Sequence, residues 1–198
     1  MPISCRVTRG DLTESIHVAF AVVVDGKGQT IFSTGDPHYL TCIRSSLKPF
    51  QAAASLKAGA IDAAGFDDQE LALMCASHKG EDMHVNTAMS MLHKLGLKAE
   101  DYECGSHYPS DRVTRYEMIS DSKSPQPLHN NCSGKHAGML ALAKYLEQGT
   151  TGYVHKDHPV QKTIMKYVKE LTGLGDIHTE IDGCSAPTPF MTLQTIAT

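Results

Sequence analysis

The chain has 198 residues, 41% hydrophobic and 20% charged, with 18 Lys and Arg against 22 Asp and Glu and a net charge of −4. That is the makeup of one globular domain able to bury a core without disulfide staples. No basic run is present, which argues against nucleic acid or an anionic membrane as the main partner. The longest apolar stretch, Val18 to Val24, is strand-sized rather than membrane-spanning, and the first ten residues lack the apolar centre of a secretory signal. The six cysteines, Cys5, Cys42, Cys75, Cys104, Cys132 and Cys184, are widely spaced. Reduced thiols in a cytoplasmic protein, used for metal ligation or burial, are the expectation.

Ser15–Val24 (SIHVAFAVVV) is a β-branched run followed by Asp25-Gly26-Lys27-Gly28 and then Thr30–Ser33, so a hairpin is predicted. Its first strand is nearly all apolar, the pattern of a strand covered on both faces. The segment RSSLKPFQAAASLKAG predicts a helix that starts between Ser46 and Lys48, because Pro49 is tolerated only in a first turn, and closes at Gly59. Its helical positions include Leu47, Phe50, Ala54 and Leu56. Asp67–Ala76 is helical or strand-like, and Ser77-His78-Lys79-Gly80-Glu81 interrupts it. Met83–Leu95 is an amphipathic helix whose methionines read as core packing rather than a cofactor box.

Tyr102–Leu128, with Pro109, Pro125 and Pro127, predicts a long loop excursion. The polar stretch His129–Met139 (HNNCSGKHAGM) then leads into a helix over Lys135–Leu146, capped near Gly149. Helix starts expose N–H groups and hold anions, but Ser133 as a simple N-cap is an equal reading. A further helix spans Val160–Thr172 and closes at Gly173. A short strand follows at Ile177–Ile181, then a tight turn over Asp182–Pro187. Phe190, Leu193, Ile196 and Ala197 recur at helical spacing with no C-cap after them, so the last element reads as cut rather than finished. Helices and strands mix without strict βαβ alternation, which predicts an α+β class in one domain over residues 1–198.

Three constellations could carry chemistry. Ser45-x-x-Lys48 sets a hydroxyl and an amine one helical turn apart, and a lysine whose ammonium form is disfavoured by burial can activate a serine. The same spacing serves acyl transfer in penicillin-binding proteins and class A β-lactamases. Ser120-Asp121-Ser122-Lys123 matches it too, but only the Ser45 match opens a predicted helix. Cys132-x-x-Lys135 together with Asp182-Gly183-Cys184 offers two thiols and an amine to a zinc ion; two buried free cysteines are the alternative. Ser77 is either a second hydroxyl of a cleft or the cap of the next helix.

The segments RSSLKPFQA, CASHKGEDMH, HNNCSGKHAGMLALA and DGCSAP, in this order and register, closely resemble the Rhizobium-type (class 3) L-asparaginase II family from about Val18 onward. The resemblance implies a layered α/β sandwich similar to serine β-lactamases and glutaminases, and an amidohydrolase that splits L-asparagine into L-aspartate and ammonia. It implies Ser45 and Lys48 as one catalytic pair, Ser77 as part of a second, and Cys132, Lys135 and Cys184 as zinc ligands. Arg44, His136 and Asp182 fall where substrate is handled, Arg44 suiting an α-carboxylate and Asp182 an α-ammonium. It implies a homodimer as well. The family's chains are longer, and the lysine paired with the second serine comes from the part beyond, so a C-terminally incomplete domain is expected. A β-lactamase-like or peptidase-like Ser-x-x-Lys hydrolase and a zinc-binding, catalytically silent remnant are the alternatives; SDN and KTG motifs are not found.

Overall fold

A computed structural model describes residues 1–198, and its backbone divides into two compact units. The first comprises residues 1–43, 174–178 and 189–198 and carries most of the strands. Strands β1 (Ile3–Arg9) and β2 (Leu12–Ala19) form an antiparallel hairpin, as do β3 (Ala21–Val24) and β4 (Thr30–Thr34). The turn between β3 and β4 is fixed by the Asp25 carboxylate, which accepts the N–H groups of Lys27 (2.8 Å) and Gln29 (2.9 Å). The predicted hairpin is therefore present, but the apolar run splits at Phe20. The Phe20 ring packs edge-on against Tyr39 at 4.8 Å, and the residues before it pair with β1, a strand the sequence pattern left unmarked.

Nor are both faces of that run covered. Ile16 is 63% and Val18 60% exposed, because pairing along an edge satisfies the backbone and leaves both side-chain faces open. Strand β5 (Leu40–Cys42) pairs antiparallel with β7 (Pro187–Thr192), Cys42 opposite Phe190. Helicity after it is confined to a short α8 (Leu193–Ala197), capped by the Thr192 hydroxyl. Phe190 thus belongs to a strand rather than to the predicted last helix, since Pro187 and Pro189 fix φ and hold their neighbours extended.

The second unit, residues 44–173 and 179–188, is helical apart from the short strand β6 (Thr179–Ile181). A 3-10 turn over Arg44–Leu47 runs into α1 (Lys48–Ala58), which ends on Gly59 in the left-handed region at φ 91°. Then come α2 (Ala60–Ala64), α3 (Asp68–Cys75), α4 (Asp82–Lys94), α5 (Arg112–Ser120), α6 (Ser133–Tyr145) and α7 (Pro159–Thr172). Helix α3 is settled by a reciprocal cap, the Asp67 carboxylate accepting from Glu70 N–H and the Glu70 carboxylate from Asp67 N–H. Asp111 caps α5 through Thr114 N–H, and this helix sits inside the predicted loop excursion. The Asp-x-x-Thr start was hidden there among prolines and serines.

Helix α6 is the centre of this unit. Every side chain from Ser133 to Ala143 is buried, and α1, α2, α3, α4 and α7 all pack on it. A helix apolar on all sides belongs in the middle of a core. Against it, α1 turns Lys48, Gln51, Ala52, Ala54 and Ser55 inward, whereas Phe50 (43%) and Leu56 (42%) face out, contrary to the expected apolar face. In α4, Met91 is core, while Met83 and Met89 are exposed. Close approach explains the small residues: a Cβ on Gly134 would stand 2.5 Å from the Leu73 carbonyl oxygen. Gly134→Ala is expected to destabilise the protein by about 1–3 kcal/mol, read as a lower denaturant midpoint at unchanged m-value. Together the two units make an α+β protein, as predicted, and no helix is long and apolar enough to cross a membrane.

Candidate active site

All of the predicted site residues fall in the helical unit. Arg44, Ser45, Lys48, Lys135 and Asp182 line one narrow cleft with Leu47, Gln51, Pro187 and Thr188. A larger cavity, about 690 Å³, lies elsewhere, between Asp82, Glu117, Asp121 and His129, and contains none of them. Three elements build the cleft. The 3-10 turn brings Arg44 and Ser45, α1 brings Lys48, and the first turn of α6 brings Lys135. The turn Asp182–Ala186 closes it with hydrogen bonds from Asp182 N to Ala186 O (3.0 Å) and from Ser185 N to Asp182 O (2.9 Å). Ser185 sits at φ 68° in this turn, and Cys184 is directed inward, 4% exposed.

Lys48 is the most constrained charge carrier. It is 1% exposed, and its Nζ donates to Ala76 O (2.7 Å), Ser77 Oγ (2.9 Å) and Asn131 O (2.9 Å). Burial lowers its pKa below the usual lysine value. The hydroxyl it reaches is therefore that of Ser77 rather than Ser45. Ser45 lies at the cleft mouth, exposed, one residue after Arg44. The arrangement serves both protonation states. An ammonium gives its three N–H groups to three acceptors; a neutral amine gives two to the carbonyls and offers its lone pair to the Ser77 O–H.

Arg44 adopts φ 50°, a left-handed conformation that costs a non-glycine residue roughly 1–2 kcal/mol. Its guanidinium stands 3.6 Å from the Asp182 carboxylate, with the arginine side chain 71% exposed. An exposed pair of this kind contributes little by itself. What it does is place opposite charges side by side at the cleft.

Below the cleft, Cys132 and Cys184 are both buried close to one another, and Lys135 Nζ lies 2.9 Å from Cys184 Sγ. Cys132 beside it, with Lys135 and His136 nearby, holds the Cys184 thiol far below its ordinary range, and Cys132 itself is pushed up. Two neighbouring sulfurs and an amine thus gather soft donors for a cation at one place. No group of three or more His, Cys, Asp or Glu side chains gathers round a common point, so a metal here depends on Lys135 as third donor. Two soft sulfurs and a nitrogen fit zinc by donor chemistry.

His136 does not reach the cleft, contrary to the expectation that it handles substrate. It is fully buried, its Nδ1 2.7 Å from the Tyr153 hydroxyl. One residue past Lys135 on a helix, it is rotated about 100° into the core. Ser133 is not the N-cap either. Cys132 holds that position, and Ser133 Oγ bonds His78 Nε2 at 2.8 Å. Gly80 N–H donates to His78 Nδ1 (3.2 Å), so His78 is the donor to Ser133, and burial lowers its pKa to about 4. Sequence reasoning missed His78, Tyr153 and Asn130. The Asn130 Oδ1 accepts from Cys132 N–H (2.9 Å), and its Nδ2 donates to Cys104 O (2.8 Å). An Asn two residues before a helix cap was the available signal.

The model of the family described as L-asparaginase II matches residues 5–198. The chain belongs to the L-asparaginase II family. A search of curated proteins gave no match. Membership of the L-asparaginase II family implies asparagine amidohydrolase activity, with a small molecule, asparagine, as the substrate.

Proposed function

We propose that the protein hydrolyses L-asparagine by acyl transfer through a lysine-activated serine. The observation that carries this reading is the buried Lys48 Nζ, 2.9 Å from Ser77 Oγ, with two carbonyls taking its remaining N–H groups. Lys48 takes the Ser77 proton as Oγ attacks the side-chain amide carbon. The C–N bond breaks, the proton passes to the leaving nitrogen, and ammonia departs. Water then cleaves the aspartyl ester and Ser77 regains its proton. Arg44 takes the substrate α-carboxylate and Asp182 the α-ammonium, each exchanging the other for a substrate charge.

Cys132, Lys135 and Cys184 would hold a zinc ion, which when bound would supply a Lewis acid able to hold or polarise a substrate oxygen. The wide spacing of the six cysteines along the chain supports a cytoplasmic setting; the sequence resemblance supports a homodimer.

A second reading makes Ser45 the nucleophile, because Ser45, and not Ser77, lines the cleft beside Arg44 and Asp182. Trapping the acyl-enzyme by rapid acid quench and intact mass separates the two. Ser77→Ala is expected to abolish the aspartyl adduct and ammonia release while Ser45→Ala retains a detectable adduct. The reverse pattern selects Ser45. An active chain that forms no adduct in any variant sinks acyl transfer.

A further inference from the structure

Tyr153 is absent from every motif above, yet its side chain is completely buried against a histidine that is also completely buried. The Tyr153 hydroxyl has two partners. Glu103 N–H donates to it at 2.9 Å, and His136 Nδ1 lies 2.7 Å away. A phenol has one proton to give. With Glu103 N–H already a donor, the phenol proton finds an acceptor only if Tyr153 O–H donates to Nδ1. The imidazole then carries its proton on Nε2. The opposite assignment would crowd two N–H groups on one oxygen and leave the phenol proton with no acceptor.

The phenol is held in place from several directions. Gly152 N–H donates to Glu103 Oε1 (2.6 Å), Gln161 Nε2 donates to Tyr153 O (2.9 Å), and the two rings meet edge-on at 5.5 Å. At the far side of the imidazole, Nε2 is buried with no well-aligned partner, beside the Cys184 sulfur. Cys184 is also the sulfur that Lys135 contacts.

We propose that Tyr153 is a positioning residue: by donating to His136 Nδ1 it fixes the imidazole proton on Nε2, on the side of the ring where the Cys184 sulfur lies, so that His136 supports that sulfur instead of touching substrate. This rests on the zinc part of the reading above for its consequence, though not for its geometry. Partners that orient a metal ligand through one intervening group typically change affinity by about 10- to 100-fold when removed. Tyr153→Phe keeps the packed ring and removes only the donor.

Two measurements on the full chain test it. The first is the two-bond ¹⁵N–¹H correlation of histidine-labelled protein, with His136 assigned by its disappearance in His136→Gln. The unaltered chain is expected to show the Nε2–H tautomer, and Tyr153→Phe a loss of that pattern. A Nδ1–H tautomer in the unaltered chain overturns the proposal, and needs no variant that might fail to fold. The second is zinc affinity by chelator competition, expected to fall about 10- to 100-fold in Tyr153→Phe. His136→Gln, which keeps an N–H near the Nε2 position, should retain more affinity than His136→Asn. Unchanged affinity in Tyr153→Phe, or equal loss in the Gln and Asn variants, overturns it as well. If the unaltered chain binds no zinc, the metal reading fails, and the tautomer signal still decides the assignment of Tyr153.

Discussion

Replacing Lys48 by methionine is expected to lower kcat/KM for L-asparagine by roughly 10²- to 10⁴-fold, the usual span of a positioned general base. Methionine fills much of the same volume, so packing against α6 changes little. Ala76 O, Asn131 O and Ser77 Oγ lose their shared donor. An unmet buried acceptor costs about 1–3 kcal/mol. Removing the burden of a buried ammonium offsets part of that. The fold should therefore survive while turnover does not.

Lys48→Arg sharpens the test. Arginine restores a cation and its donors but stays protonated at any working pH, so it can donate to Ser77 and never accept from it. Ammonia release should remain as low as in Lys48→Met. If Lys48→Arg recovered most of the activity, the residue would be an electrostatic anchor and the base would have to be sought elsewhere.

The second large effect concerns the thiols. One zinc ion per chain is expected in the intact protein by metal analysis, and Cys184→Ser should abolish it. The removed sulfur is the one that both Cys132 and Lys135 contact, and a serine hydroxyl is a far weaker ligand at neutral pH. A ligand present at 100 times its dissociation constant stabilises a folded protein by about 2.7 kcal/mol. Added zinc should thus raise the melting temperature of the intact chain and leave Cys184→Ser unmoved. Chelation that strips the metal should also raise the Michaelis constant. If the Michaelis constant did not change, substrate holding by the metal would be refuted even where the metal binds.

Much of the helical frame, and the candidate residues it carries, was legible in the sequence. Pro49 and Gly59 bracket α1 by elementary backbone rules, and Pro159 and Gly173 do the same for α7. Ser45-x-x-Lys48 and the Cys132, Lys135 and Cys184 set were visible as spacing. What spacing could not supply was partner choice. One helical turn puts Ser45 near Lys48 in sequence, but α1 is turned so that its lysine points toward the end of α3 and the start of α6. The amine therefore meets Ser77, Ala76 and Asn131, 29, 28 and 83 positions away. Helix α5 was hidden because its capping Asp111 lies among loop-forming residues. The β2 segment misled for another reason: an apolar run records what a strand can bury, and here Ile16 and Val18 remain open.

The left-handed backbone at Arg44 has a consequence for anyone seeking a hardier variant of this protein. A glycine there would accept φ 50° freely and relieve roughly 1–2 kcal/mol. A library screened only for survival after heating would enrich that change. It would also delete the guanidinium facing Asp182, and with it the cation suited to a substrate carboxylate. Heat resistance and turnover pull in opposite directions at this one position, so any screen that spans it has to score both.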